Sequence, residues 1–235
     1  MAYIIFLCVA LLIYVGIVFL MKKFRKKKLT NFIFFVVTFL CYLSVVLIVY
    51  LDVGLHDWNF LNTLPTANVS PFMFCTLPLC FILPNKIKKY HFALISLLSV
   101  GMLLAPAVGC IYNTAIKYAF HTHFLLDYAA HFTLSLWGIY LVKSKQVELN
   151  VKNGLIGGSV IVVVAFLMMI LNVIFDTAFF GLSLNGKHNI YNCVLVKNSF
   201  LSALIYFAGL VGVLVLGYFC HKLINIKKKE KTEQT

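Results

Sequence analysis

Phe124-LLDYAAHFTLSLWGIYL-Val142 is apolar along nearly its whole length, yet it carries Asp127 and His131 four residues apart. A run of about 20 predominantly apolar residues is long enough to cross a bilayer as a helix. Burying an ionisable side chain in hydrocarbon costs several kcal/mol, so such residues face a bundle interior or a wet cavity and mark a site. The i,i+4 spacing puts both groups on one helix face. His123 extends that stripe toward the start of the segment.

The rest of the chain agrees with a membrane reading. Apolar residues make up 62% and charged residues 11%, with a mean hydropathy of +0.97. Soluble domains run at roughly 45–50% apolar and about 25% charged. Six clear apolar segments of spanning length are Ala2–Met21, Asn31–Tyr50, Phe92–Tyr112, Phe124–Val142, Gly154–Asp176 and Ser199–Cys220. A seventh, Pro71–Leu83, is short and interrupted by Pro78.

Loop charge decides whether that short piece crosses. Cytoplasmic loops carry an excess of Lys and Arg. With seven crossings, one side receives Lys22–Lys28, Lys86–Lys89, Lys143–Lys152 and the tail from Lys222, which is 17 of the 20 basic residues. Only Lys117, Lys187 and Lys197 fall opposite. Without a crossing at Pro71–Leu83 every later loop changes side and the segregation is lost. The expected fold is therefore an all-α polytopic bundle of seven transmembrane helices, N-terminus outside and C-terminus cytoplasmic. Residues 1–221 form its single membrane domain and 222–235 a Lys-rich cytoplasmic tail.

The net charge of +13 sits in short loops flanking apolar segments, so it sets topology and does not point to nucleic acid. The partners expected are membrane lipids, whose anionic headgroups suit the basic loops. No protein partner is indicated. The first apolar run has its charges after it, unlike a secretory signal, and reads as an uncleaved anchor. Seven cysteines, most within apolar segments, make no disulfide framework. Nineteen lysines to one arginine, with abundant Ile, Phe and Asn, fit an AT-rich bacterial genome and hence the plasma membrane. Paired broken helices, the signature of an inverted-repeat transporter, are missing from the pattern.

This topology gathers the intramembrane polar residues at one depth. At ~1.5 Å per residue, Cys75 lies about 6 Å in from Pro71, and Asp127 and His131 about 6 and 12 Å below His123. Asn172 lies about 6 Å inside Asp176. All fall in the outer half of the bilayer. Gly154 and Gly158 form a G-x-x-x-G that reads as a helix-packing face.

The segment Ser70–Leu77, SPFMFCTL, resembles the P-x-x-x-C motif that opens a helix in the YwaF-like integral membrane proteins, bacterial relatives of the transmembrane protein 164 type. HTHFLLDYAAHFTLSLWGIYLV, with His121 and His131, is similar to that family's histidine helix. LNVIFDTAFF resembles its N-x-x-x-x-T-N-Y stretch through Asn172 and Thr177. The resemblance spans Pro71–Phe180 and implies a seven-helix acyl-transfer enzyme acting on membrane lipids, with Cys75 as nucleophile and His131 as base. Asp127, Asn172, Thr177, His121 and His123 are then expected to orient these groups or line the substrate. The family histidine two residues before the cysteine is Met73 here, and Ala178-Phe179 replace the Asn-Tyr pair.

The chemistry has alternatives. A thiol must lose its proton to attack an ester, and an adjacent imidazole can take it. Alone, Cys75 reads equally as a small buried hydrophobe, and His131 as a polar link between helices. Zinc-dependent seven-helix membrane hydrolases bind metal through histidines and an aspartate, which His123, Asp127 and His131 could supply. The paired H-x-x-x-H on a late helix is missing, however, and no metal or other cofactor is expected. A small-molecule transport or binding subunit is the third reading, with Asp127, His131 and Asn172 lining its cavity.

Overall fold

A computed structural model describes residues 2–24, 26–51, 69–109, 122–175 and 199–232. The protein is all-helical over these residues. Its helices are α1 (Ala2–Leu20), α2 (Lys27–Leu51), α3 (Val69–Thr76), α4 (Leu79–Ile82), α5 (Asn85–Gly109), α6 (Thr122–Lys143), α7 (Val151–Phe175) and α8 (Ser199–Thr232). A 3-10 turn, Met21–Lys23, joins α1 to the start of α2. Among the described residues, five spans are long and apolar enough to cross a membrane: Lys27–Ile48, Asn85–Leu104, Leu125–Lys143, Val151–Phe175 and Ala203–Leu223.

Helix boundaries depart from the apolar segments because hydrogen bonding does not stop where hydropathy does. α5 begins at Asn85 rather than Phe92. Pro84 has its fixed φ and missing N–H at a helix start, where neither matters. Its carbonyl accepts the Ile87 and Lys88 amides at 2.9 Å each. α8 likewise runs past Cys220 to Thr232 through the lysine-rich residues. The short segment breaks at Pro78 into α3 and α4. The apolar stretch Val69–Ile82 spans only about 21 Å at 1.5 Å per residue, less than a bilayer core of about 30 Å.

α6 and α5 form the centre. They bury 61% and 50% of their spans, against 22–28% for α2, α7 and α8. Ala130, Leu134, Trp137 and Leu141 of α6 are wholly buried, following the helical period that stacks i, i+4, i+7 and i+11 on one face. The outward faces carry Leu12, Phe19, Leu155, Val163, Phe175 and Phe200, among many large apolar side chains. Such continuous apolar surface suits lipid and not water. The structure is compatible with a multi-pass membrane protein.

Lipid tails are as apolar as leucine, so helix association in a bilayer depends on close packing and interhelical hydrogen bonds. Both are present. Gly138 lets α6 lie directly on α5: a Cβ there would fall 2.7 Å from the Ile95 carbonyl oxygen and 2.7 Å from Ser99 Cβ. Gly157 does the same for α7, with the Tyr90 carbonyl at 2.7 Å. Gly154 and Gly158 face Tyr218 and Leu214 of α8 at ordinary distances, so the tightest approach on that helix lies at Gly157. Tyr14 of α1 reaches Ser135 at 2.7 Å, and Ser135 Oγ donates to the Ser99 carbonyl at 2.6 Å.

The basic end carries a second polar cluster. Asn31 Oδ1 accepts Trp137 Nε1–H at 3.1 Å, and Asn31 Nδ2 donates to Gln146 at 2.7 Å. Lys143 Nζ donates to the Val18 carbonyl at 2.9 Å and Tyr140 to the Phe24 carbonyl at 3.2 Å. A lysine is well placed there, because helix C-terminal carbonyls attract cations. These contacts bring the α1–α2 turn, the start of α2 and the end of α6 to one end of the bundle. α3–α4 runs antiparallel to α2: Tyr42 meets Phe74 with ring centroids 5.0 Å apart, and Phe35 meets Phe81 at 5.2 Å.

Candidate functional site

His131 projects from the α6 face that packs on the rest of the bundle and is only 6% exposed. Nδ1 lies 2.9 Å from the Asp127 carbonyl and 3.4 Å from Asp127 Oδ1. The carbonyl is an acceptor only, so it fixes a proton on Nδ1. In the neutral ring, Nε2 then carries a lone pair. Ser70 Oγ stands 2.8 Å from it and donates its proton there. The result is a hydroxyl–imidazole–carbonyl chain drawn from α3 and α6, with the Asp127 carboxylate beside it.

Phe74 lies one turn beyond Ser70 on the same face of α3. Its ring meets the His131 ring edge-on, with centroids 5.2 Å apart, and is wholly buried. This contact fixes the imidazole plane while leaving its nitrogens to the polar partners. The Met102 thioether of α5 lies 3.7 Å from Ser70 Oγ. It is a weaker acceptor than imidazole.

Cys75 is exposed, which sets aside its reading as a buried hydrophobe. Its thiol donates to the Tyr42 hydroxyl of α2 at 3.8 Å. Five residues turn a helix by roughly 140°, so Ser70 and Cys75 face different neighbours. His131 therefore meets Ser70, and no hydrogen bond joins it to Cys75. Asp127 is about one-third exposed, at 34%. Asn172 is buried on α7, a helix that packs mainly on α5 and α8, whereas α6 packs mainly on α5 and α2. His121 and Thr177 lie outside the described residues. His123 is in the first turn of α6, with its side chain outside them. Among the described residues no group of three or more His, Cys, Asp or Glu side chains is arranged to hold a metal ion.

Sequence reasoning missed Ser70, Tyr42 and Phe74. Ser70 directly precedes Pro71 at the start of an apolar run, a pattern that reads as a helix start and gives no sign that its hydroxyl meets His131. The available signal was its place on the expected outer half of the bilayer, level with the Asp127–His131 stripe.

Chemically, the arrangement can accept a proton from a hydroxyl and hold the resulting imidazolium beside a carboxylate. That is what nucleophilic or general-base attack on an ester requires. The chain matches no protein-family model, no curated protein and no solved structure.

Proposed function

We propose that this protein is a seven-crossing membrane enzyme that transfers or hydrolyses acyl groups of membrane lipids, with His131 as base. The observation that carries the proposal is the 2.8 Å contact of buried His131 Nε2 with a hydroxyl while Nδ1 is held from the other side. The Nδ1 bond lies within α6, and only the Nε2 bond reaches another helix, where it meets a hydroxyl. His131 thus has partners at both nitrogens, ordered as donor, base and orienter.

Seven crossings are favoured by the antiparallel course of α3–α4 against α2, which makes successive elements alternate in sense. The gathering of basic termini at one end also favours them, with that end cytoplasmic and the N-terminus outside. His131 then lies about 18 Å from Lys143 along α6, toward the outer leaflet of the plasma membrane. The likeness to YwaF-like proteins supports the same chemistry and assigns the nucleophile to Cys75, beside the same site.

The test is lipid turnover by the purified full-length protein in vesicles of phosphatidylglycerol carrying an isotope-labelled acyl chain. Release of the labelled chain, or its transfer to another lipid, is expected, with His131→Ala reducing it to background. Turnover that is absent, or unchanged in a folded His131→Ala variant, rejects the proposal.

A further inference from the structure

We infer that Ser70 is the nucleophile of this site, so that the reaction passes through an acyl ester on Ser70 Oγ. The inference rests on the acyl-transfer reading above and specifies the atom that attacks.

Geometry separates the two nucleophile candidates on α3. Ser70 Oγ lies 2.8 Å from His131 Nε2, within reach of direct proton transfer. Cys75 Sγ has the Tyr42 hydroxyl as its partner at 3.8 Å, and a neutral phenol is not a base. A hydroxyl is a weak nucleophile by itself and attacks only when a base removes its proton as the new bond forms. Ser70 has that base; among the described residues Cys75 does not. Ser70 also stands in the first turn of α3, where the positive end of the helix dipole favours the negative charge that develops during attack.

The steps balance without any added redox partner. Ser70 Oγ bonds to the ester carbonyl carbon of a lipid as its proton passes to His131 Nε2. The bond from that carbon to the lipid alcohol oxygen then breaks, and His131 returns the proton to the departing alcohol. Water or a second lipid hydroxyl attacks the Ser70 ester, again losing its proton to His131. The acyl group leaves as free acid or new ester, and the serine hydroxyl is restored. Asp127 lies beside the charged imidazolium at each transfer.

A long-chain alkyl fluorophosphonate tests this, because Ser70 Oγ would displace fluoride and keep the phosphonyl group. The full-length protein in phosphatidylglycerol vesicles is treated and the adduct mapped by mass spectrometry. An adduct on Ser70 is expected, reduced at least about 100-fold in His131→Gln, the scale of a lost general base. Mapping in the unaltered protein needs no variant to fold, and Ser70→Ala should abolish the label. An adduct on Cys75 with Ser70 unmodified overturns Ser70 as nucleophile and leaves acyl transfer standing. No adduct on either residue, together with labelled-lipid turnover, also overturns Ser70; no adduct and no turnover removes both inferences.

Discussion

Ser70 and Cys75 lie on one helix but serve different neighbours: Oγ meets His131 of α6 at 2.8 Å, whereas Sγ meets Tyr42 of α2 at 3.8 Å. An imidazole fixed on α6 therefore cannot reach both without a rotation of α3. The packing of α3 opposes that rotation. Met73, Phe74 and Leu77 are wholly buried, and turning the helix would expose them.

Asp127 has a smaller role than its place beside His131 suggests. Its carboxylate lies 3.4 Å from Nδ1, while its own backbone carbonyl lies at 2.9 Å. The carbonyl alone keeps the proton on Nδ1, so the carboxylate contributes mainly charge to the imidazolium. Asp127→Ala should lower lipid turnover by only about 10-fold, against about 10⁴-fold where an aspartate alone sets the tautomer. Turnover of Asp127→Ala and His131→Ala, measured side by side, checks this. Equal losses would show that the carboxylate is indispensable.

Much of the fold was legible in the sequence because bilayer length and loop charge leave few alternatives. The α2, α5, α6, α7 and α8 spans were each readable from hydropathy. The site was less legible. Period and depth placed Asp127 and His131 on one face, but which α3 residue meets them depends on the rotation of α3 about its own axis. That rotation is fixed by Met73, Phe74 and Leu77 turning inward, and in a segment apolar on every face hydropathy does not encode it.

The amide cluster at the basic end should matter for stability. Asn31→Leu leaves Trp137 Nε1–H without its acceptor at 3.1 Å and Gln146 without its 2.7 Å partner. Trp137 is wholly buried, so water cannot replace the acceptor. Loss of about 1–3 kcal/mol is expected, read as a lower Tm in detergent. Gln146→Ala spares the Trp137 bond and should cost less.

Helix contact at Gly138 tolerates no side chain. The atom a Cβ would meet at 2.7 Å is the Ile95 backbone oxygen, which cannot move unless α5 moves. Gly138→Ala should destabilise by about 1–3 kcal/mol, the cost of overpacking. Gly212 of α8 is the control, since nothing lies within 4 Å of a Cβ built there. Gly212→Ala should be neutral or slightly stabilising, because alanine is the better helix former. Thermal unfolding of both variants in one detergent compares them.

Lys145 closes α6 in the left-handed region, with φ 57°. Gln146 N–H bonds back to the Leu141 carbonyl at 2.9 Å and Lys145 N–H to Val142 at 3.1 Å, a helix end that normally uses glycine. The Cβ of lysine is crowded in that conformation, and glycine removes the clash at some cost in unfolded-chain entropy. Lys145→Gly should raise stability by about 0.5–1 kcal/mol. A lower Tm would show that the lysine charge contributes more than the relieved strain.

Seven crossings predict where each connection faces. The short α3–α4 pair is the decisive element, since by length it falls below a full span and its passage alone sets the side of everything after it. Reporter fusions after Leu51 and Ile190 should be active only outside, and one after Ile226 only in the cytoplasm. If α3–α4 instead enters and returns on one side, the Ile190 fusion becomes cytoplasmic and the Ile226 fusion external, while Leu51 is unchanged. In that case the Lys22–Lys28 turn would stay cytoplasmic while the loops at Lys86–Lys89 and Lys143–Lys152 both faced outside. The folded bundle disfavours that outcome, because Lys143 Nζ donates to the Val18 carbonyl at 2.9 Å and Asn31 Nδ2 to Gln146 at 2.7 Å, which hold the α1–α2 turn and the end of α6 together. α5 and α6 pack antiparallel, with Ser96 Oγ donating to the Gly138 carbonyl at 3.1 Å, so Asn85 joins Lys143 at that end and all three basic connections fall on one face, as seven crossings require.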